Sequence, residues 1–335
     1  MSSAIVVHQD FDASWPWAAD HLHNLWAAQG NVQFVRVPNG EKPAVHTVLR
    51  DARSVHRLVC LGIPFTAESL ATLPQLKELA ANFKKDELLL PKLAQAGVTV
   101  IWHKSEGFWG QSVSEFGLAL TLCGLRRIPQ THHGIITDLK EWDYAPEGGK
   151  GVPGQRGHQF GDDPRFTNGT LEGKRVRIVG AGNIASRYAS FCRYLGAEVA
   201  AWDPFAAEPC FHRAGARREL SLDRLVRDAE IFAPMVPLTP QTEGLVKAEH
   251  IRALPHGCLV VMVTRARICD CKVLYERVLS DELALAADVF EDEPLPLGHA
   301  FLGRHNVIHT PHNAGRTKEA NSRYVEILAE QFMPA

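Results

Sequence analysis

Residues 175–203 constrain this chain more than any other stretch. Val176, Ile178 and Val179 form a short apolar run that leads straight into Gly180-Ala-Gly182-Asn-Ile-Ala185. Ile184, Tyr188, Phe191 and Leu195 then recur at three- and four-residue spacing, the period of an amphipathic helix. A second apolar run, Glu198 to Trp202, ends on Asp203. Strand, glycine turn, helix, strand and acid is the order that a dinucleotide-binding unit requires. Gly180 permits the tight turn, and Gly182 lets a pyrophosphate approach the backbone. Ala185 stands in the third glycine position and still lets helix and strand pack closely. Asn183 and Ile184 open the helix, whose free N–H groups and positive end suit phosphate. Asp203 can accept from both ribose hydroxyls and would repel a 2′-phosphate, so NAD is expected rather than NADP. The plainer reading, a glycine helix cap, gives no reason for the two flanking strands or the acid.

With 335 residues the chain can hold two domains, each with its own core. A hydrophobic share of 45%, a charged share of 22% and a net charge of −2 fit a soluble globular protein and give no reason to expect nucleic acid or membrane as partner. No window reaches transmembrane length and the first residues lack a leader pattern, so a cytoplasmic protein is expected. The seven cysteines are scattered through apolar patterns and read as reduced thiols. His132-His133 and His309-x-x-His312 lack a third ligand at metal-binding spacing, so no metal is expected.

The first hundred residues alternate strand and helix. Ala4–His8, Val32–Arg36 and Arg57–Leu61 read as strands, with a helix from Pro16 to Ala28. Leu76–Phe83, Glu87–Ala96 and Val98–Trp102 continue the alternation. Trp15, Trp17 and Trp26 are expected to fill this core. The stretch after Gln111 is almost wholly apolar up to Arg126, as for a helix crossing between domains or buried between subunits. Residues 143–168 are rich in Gly, Pro and polar side chains and read as a mobile arm or a passive insertion. After Asp203, strands are expected at Glu230–Val236, Cys258–Val263, Leu283–Asp288 and Asn306–Thr310, with helices between them. Such alternation implies parallel sheets wrapped by helices. Ligands then sit beyond the carboxyl ends of the strands.

Arg265, Glu293 and His312 each follow one of those strands. A guanidinium can grip a substrate carboxylate in a planar fork. An imidazole titrates near neutrality and can supply a proton as hydride reaches a carbonyl. A carboxylate on its other ring nitrogen would hold the tautomer. Singly, each has a plain alternative: a salt-bridge arginine, a surface glutamate, a capping histidine. Together, downstream of a nucleotide turn, they point to proton-coupled hydride transfer.

From about Gly107 to Phe332 the chain resembles the D-isomer-specific 2-hydroxyacid dehydrogenases. The resemblance rests on five blocks. They are the glycine turn, Val236-Pro-Leu-Thr-Pro-Gln-Thr-Glu-Gly-Leu, the region around Arg265, Ala287-Asp-Val-Phe-Glu-Asp-Glu-Pro294, and Asn306-Val-Ile-His-Thr-Pro-His-Asn-Ala-Gly315. It implies that Arg265 binds substrate, Glu293 orients His312, and His312 is the acid/base in NAD-dependent interconversion of a 2-hydroxy and a 2-oxo acid. It adds Pro237, Thr264 and Asp288 to the cofactor contacts Gly180, Gly182, Asn183, Ile184 and Asp203, with Asp288 near the nicotinamide amide. It implies an α/β fold of two Rossmann-like or flavodoxin-like parallel-sheet domains. The nucleotide domain (111–309) is inserted into the substrate domain (1–110 and 310–335), to which a last helix, Asn321–Phe332, returns. A homodimer built around the helix near Glu115–Arg126 is also implied.

Two departures bear on the substrate. Met262-Val-Thr-Arg265-Ala266 carries alanine where many members have glycine, which would tighten the fit near the cofactor. The loop that binds substrate carboxylate in the family falls on Asn82-Phe-Lys-Lys-Asp86, which has no glycine. Phe83, Lys84 and Lys85 become candidate substrate contacts, suited to a more anionic or sugar-derived acid. A non-catalytic NAD-sensing scaffold of the same fold remains an alternative.

Overall fold

The computed structural model describes residues 2–40, 42–81, 88–104, 107–137, 141–142 and 161–333. Phe83, Lys84, Lys85 and most of the 143–168 insertion lie outside the described residues. The chain divides into two compact units, Met1–Phe108 with Arg316–Ala335, and Trp109–Gly315. No helix among the described residues is long and apolar enough to cross a membrane.

The first unit holds five parallel strands, β1 (Ser2–His8), β2 (Val32–Val37), β3 (Val55–Leu61), β4 (Glu78–Ala81) and β5 (Thr99–Val100), in the order β2-β1-β3-β4-β5. This is the flavodoxin-like order of a doubly wound sheet. β1 lies between β2 and β3, and its run is continuously apolar because both faces are covered: Ala4 and Val6 enter one apolar cluster, Ile5 and Val7 another. One face carries helices Ala18–Ala27 and Lys318–Ala329, where Trp26 meets Phe332 edge-on at 4.9 Å.

Three expectations change in this unit. Trp17 is 48% exposed, because the buried stripe is Ala18, Ala19, Leu22 and Trp26, and Trp17 stands at the helix cap outside it. The helix starts at Ala18 rather than Pro16, since a separate turn, Gln9–Ser14, precedes it under a cap from His8. The last helix begins at Lys318, where the Thr317 side chain accepts the Ala320 N–H and closes the first turn.

The second unit holds seven parallel strands: β6 (Arg175–Val179), β7 (Glu198–Trp202), β8 (Arg217–Arg218), β9 (Ile231–Pro234), β10 (Leu259–Met262), β11 (Ala284–Ala287) and β12 (Val307–His309). Their order, β12-β11-β10-β9-β6-β7-β8, reverses at β6, the switch point of a Rossmann sheet. The unit runs to Gly315, beyond the expected 309, because the chain after β12 is tied back to the end of β11.

Helix Asn183–Tyr194 buries Ala185, Tyr188, Ala189 and Cys192, whereas Ile184 and Phe191 are only half-buried and Leu195 is exposed. Of the large residues that mark the period only Tyr188 faces inward, and small residues make up the rest of the buried face. They bring this helix close to helix Gly110–Arg126, and Tyr188 Oη meets Thr121 Oγ1 at 2.8 Å. Helix Gly110–Arg126 packs on that helix and on β10, β11 and β12, which buries Val113, Leu120 and Leu125 within the unit and leaves Phe116, Leu118 and Leu122 half-buried. Its buried Ser114 and Thr121 hydroxyls donate back to Gly110 and Gly117 carbonyls at 2.6 and 2.7 Å.

Candidate active site

Because all seven strands are parallel, the residues that follow β6, β7, β9, β10, β11 and β12 lie along one edge of the sheet. Neighbouring strands stand about 4.8 Å apart, so β12 lies roughly 19 Å from β6.

At β6 the chain turns through Gly180, whose φ is +110°. A Cβ there would stand 2.9 Å from both the Met235 carbonyl oxygen and a Val236 methyl, so no other residue fits. Gly182 differs. It caps helix Asn183–Tyr194 with an ordinary φ of −75°, and a Cβ would meet nothing within 4 Å. Its value is therefore the space it leaves over the helix N-terminus, where no side chain caps the free N–H groups. That space suits a pyrophosphate.

Asn183 accepts from Arg187 Nε at 2.9 Å, and Ile184 is half-buried beside it. The Asp203 carboxylate accepts from the Ala181 N–H at 2.9 Å, and from the Phe205 and Ala206 N–H groups at 2.9 and 3.0 Å. It thus pins the glycine turn to the end of β7. A carboxylate has about four acceptor sites. The three backbone bonds leave room for one ribose hydroxyl rather than the two expected.

Pro237 is exposed after β9, and Thr264 is buried after β10 with its hydroxyl on the Pro234 carbonyl at 3.2 Å. Ala266 lies inside an apolar cluster with Met262, Ile268 and Ala287. Its methyl is thus accommodated by core packing, not by the open edge.

Arg265 is exposed and donates to the Thr264 carbonyl at 2.7 Å. Among the described residues no carboxylate pairs with it, which removes the salt-bridge explanation and leaves its guanidinium available to an anion. Glu293 and His312 are brought together, with Glu293 Oε2 2.7 Å from His312 Nδ1. The other Glu293 oxygen accepts the Phe290 N–H at 2.8 Å, so the carboxylate is itself held. Nδ1–H donating to a carboxylate leaves Nε2 as the working nitrogen. His312 is 40% exposed, and it does not cap the following helix, which Thr317 does. Burial pushes the pKa of neighbouring His309 down, with His299 adding to the effect.

Sequence reasoning placed Asp288 against the cofactor, but its carboxylate is wholly buried. It accepts from Thr310 Oγ1 at 2.6 Å and from the Asn313 and Ala314 N–H groups at 3.0 and 2.8 Å. His312 lies inside this loop with a φ of +56°, a left-handed conformation that costs a non-glycine residue about 1–2 kcal/mol. On the other side the Ser112 hydroxyl bonds the Ala314 carbonyl. The sequence marks Thr310 only as a strand end and gives Ser112 no part in the site. The only signal was the position of Thr310 between a strand end and the Pro-His pair.

Residues 149–314 match the family model described as "D-isomer specific 2-hydroxyacid dehydrogenase, NAD binding domain". The matched stretch, just under half of the chain, corresponds to the NAD-binding domain of that family. The chain is 28% identical to the D-3-phosphoglycerate dehydrogenase of Archaeoglobus fulgidus over 74% of its length, but spans only 43% of that relative. It is 28% identical to the glyoxylate reductase of Thermofilum pendens over 87% of this chain and 81% of the relative. In fold it resembles the D-lactate dehydrogenase of Aquifex aeolicus complexed with NAD and lactic acid, with a TM-score of 0.60, 20% identity, and 97% and 93% of the two chains covered. The apo-structure of D-lactate dehydrogenase from Escherichia coli gives a TM-score of 0.62 at 17% identity, covering 98% of this chain and 95% of that chain.

Proposed function

We propose that this chain is an NAD-dependent oxidoreductase that interconverts a 2-hydroxy acid and its 2-oxo acid. The observation that carries the proposal is the Glu293–His312 bond beyond β12, on the sheet edge that also presents Arg265 and the glycine turn. Gly180, Gly182, Asn183, Ile184, Asp203, Pro237 and Thr264 would hold the dinucleotide, and its nicotinamide supplies the hydride. Arg265 binds the substrate carboxylate in a two-pronged grip and polarises the adjacent carbonyl. In the reducing direction, Nε2–H of protonated His312 gives its proton to the carbonyl oxygen while C2 gains the hydride. The product is the 2-hydroxy acid, and neutral His312 keeps its Nδ1–H on Glu293. In the oxidising direction Nε2 removes the hydroxyl proton. Lys84 and Lys85 would favour acids with a second anionic group.

Asp203 supports NADH over NADPH, since a 2′-phosphate would be set against a carboxylate. Initial rates with both nucleotides against glyoxylate, pyruvate, hydroxypyruvate, dicarboxylates and sugar-derived acids test this reading. The expected result is turnover in one size or charge class, with NADH preferred by about tenfold or more. Asp203→Ala should erase that preference and also weaken NADH, because three backbone N–H groups lose their acceptor. Equal use of NADPH by the parent would refute the role of Asp203.

We also propose that the chain pairs with a second copy. Helix Ile128–Thr137 buries none of its own residues and exposes Ile128, Ile135 and Ile136, with Trp142 beside them in sequence exposed as well. Sedimentation velocity should give twice the chain mass, and Ile135→Glu with Ile136→Glu should return it to the monomer. A parent sedimenting as a monomer at micromolar concentration would contradict the pairing.

A further inference from the structure

We propose that Thr310 and Asp288 are positioning residues that fix the direction of His312 Nε2. This role rests on the acid/base reading of His312 and adds residues to it. Asp288 buries a carboxylate at the end of β11, and its donors all come from the short loop that carries His312: one hydroxyl and two backbone N–H groups. Thr310 is itself anchored, its N–H on the Ala287 carbonyl at 3.0 Å. The loop is thus pinned two residues before His312 and at both residues after it. Pro311 fixes its own φ in between. Ser112 holds the Ala314 carbonyl from the opposite side.

A histidine in the left-handed region would relax if its neighbours were free, and relaxation would swing the imidazole away from Glu293 and from substrate. Asp288 and Thr310 prevent this. The competing assignment sets the Asp288 carboxylate against the nicotinamide amide; the carboxylate is wholly buried, and three protein donors leave about one acceptor site for such a contact. A misplacement of the order of 1 Å is enough to cost about a hundredfold in rate.

The test uses Thr310→Val, which keeps the shape and loses the hydroxyl, Thr310→Ser, which restores it, and Asp288→Asn. Each is measured for kcat and KM on the 2-oxo acid that the parent turns over fastest, for NADH Kd by fluorescence titration, and for the downfield proton resonance of His312 Nδ1–H. That resonance is assigned by its loss in His312→Gln. The expected result is a kcat lower by about tenfold or more in Thr310→Val and by about a hundredfold in Asp288→Asn. NADH Kd should stay within about twofold, the downfield resonance should weaken, and Thr310→Ser should recover most of the rate. A parent-like kcat and resonance in Thr310→Val would overturn the proposal. So would a loss confined to NADH Kd, which would place Asp288 on the cofactor. If Thr310→Val fails to fold, Asp288→Asn decides: a lower kcat and a weaker resonance with NADH Kd kept support the proposal, and parent-like kcat and resonance overturn it. His312→Ala run alongside separates the two ideas. If it keeps its turnover, the acid/base reading fails; if it loses turnover while Thr310→Val does not, only the positioning role fails.

Discussion

His312→Ala is expected to turn over the best 2-oxo acid roughly 10²–10⁴-fold more slowly than the parent, with NADH Kd within about twofold. The loss follows from geometry. His312 offers Nε2 at the carboxyl edge of the sheet, while Nδ1 is taken by Glu293 at 2.7 Å. Glu293→Gln should lose less, on the order of tenfold to a hundredfold, because the imidazole stays but its orienting charge is gone. Stopped-flow measurement of NADH oxidation under single-turnover conditions separates this chemical step from product release. A His312→Ala rate within a few-fold of the parent would remove His312 from the proton-transfer role.

Gly180→Ala and Gly182→Ala should fail in different ways, and the contrast is the second large effect. At Gly180 the added methyl meets a backbone oxygen at 2.9 Å and the backbone holds a φ of +110°. Strain and overlap together should cost about 2–4 kcal/mol of stability by urea denaturation. At Gly182 the methyl enters open space, so stability should stay within about 1 kcal/mol of the parent. The same methyl occupies the room left for pyrophosphate, so NADH affinity should fall about tenfold or more. Parent-like NADH binding by Gly182→Ala would mean that the phosphates lie elsewhere.

Much of this was legible in the chain because the decisive signals are local. The glycine turn, the apolar runs and the polar residues after each strand all announce themselves within a few positions. Arg265, Glu293 and His312 could be named in the same way, since strand ends are where a parallel sheet presents side chains. What local pattern could not supply was which face of a helix turns inward. In helix Asn183–Tyr194 four large residues mark the period, but only Tyr188 of them is buried, beside Ala185, Ala189 and Cys192, because close approach favours small side chains. Trp17 departs from its pattern for a related reason: hydrophobicity argues for burial, but its place at the helix cap leaves it in water. β8 has two residues, both arginine, and no apolar run to betray it. Asp288 shows the limit most clearly. Its position marked it as a site residue, yet its partners are backbone N–H groups some 25 residues on, and no sequence pattern records a backbone donor.

The central claim, hydride transfer to C2 of a 2-oxo acid, is tested most directly by isotope. NADH deuterated at the transferable C4 position would be incubated with the parent and the best 2-oxo acid, and the product examined by mass spectrometry and proton NMR. The account predicts one deuterium on C2 of a 2-hydroxy acid for each NADH consumed, with His312→Ala making the same product far more slowly. Consumption of NADH with no deuterium on C2 would contradict it. So would NADH binding at the glycine turn with no acid reduced, the behaviour of a nucleotide-sensing scaffold.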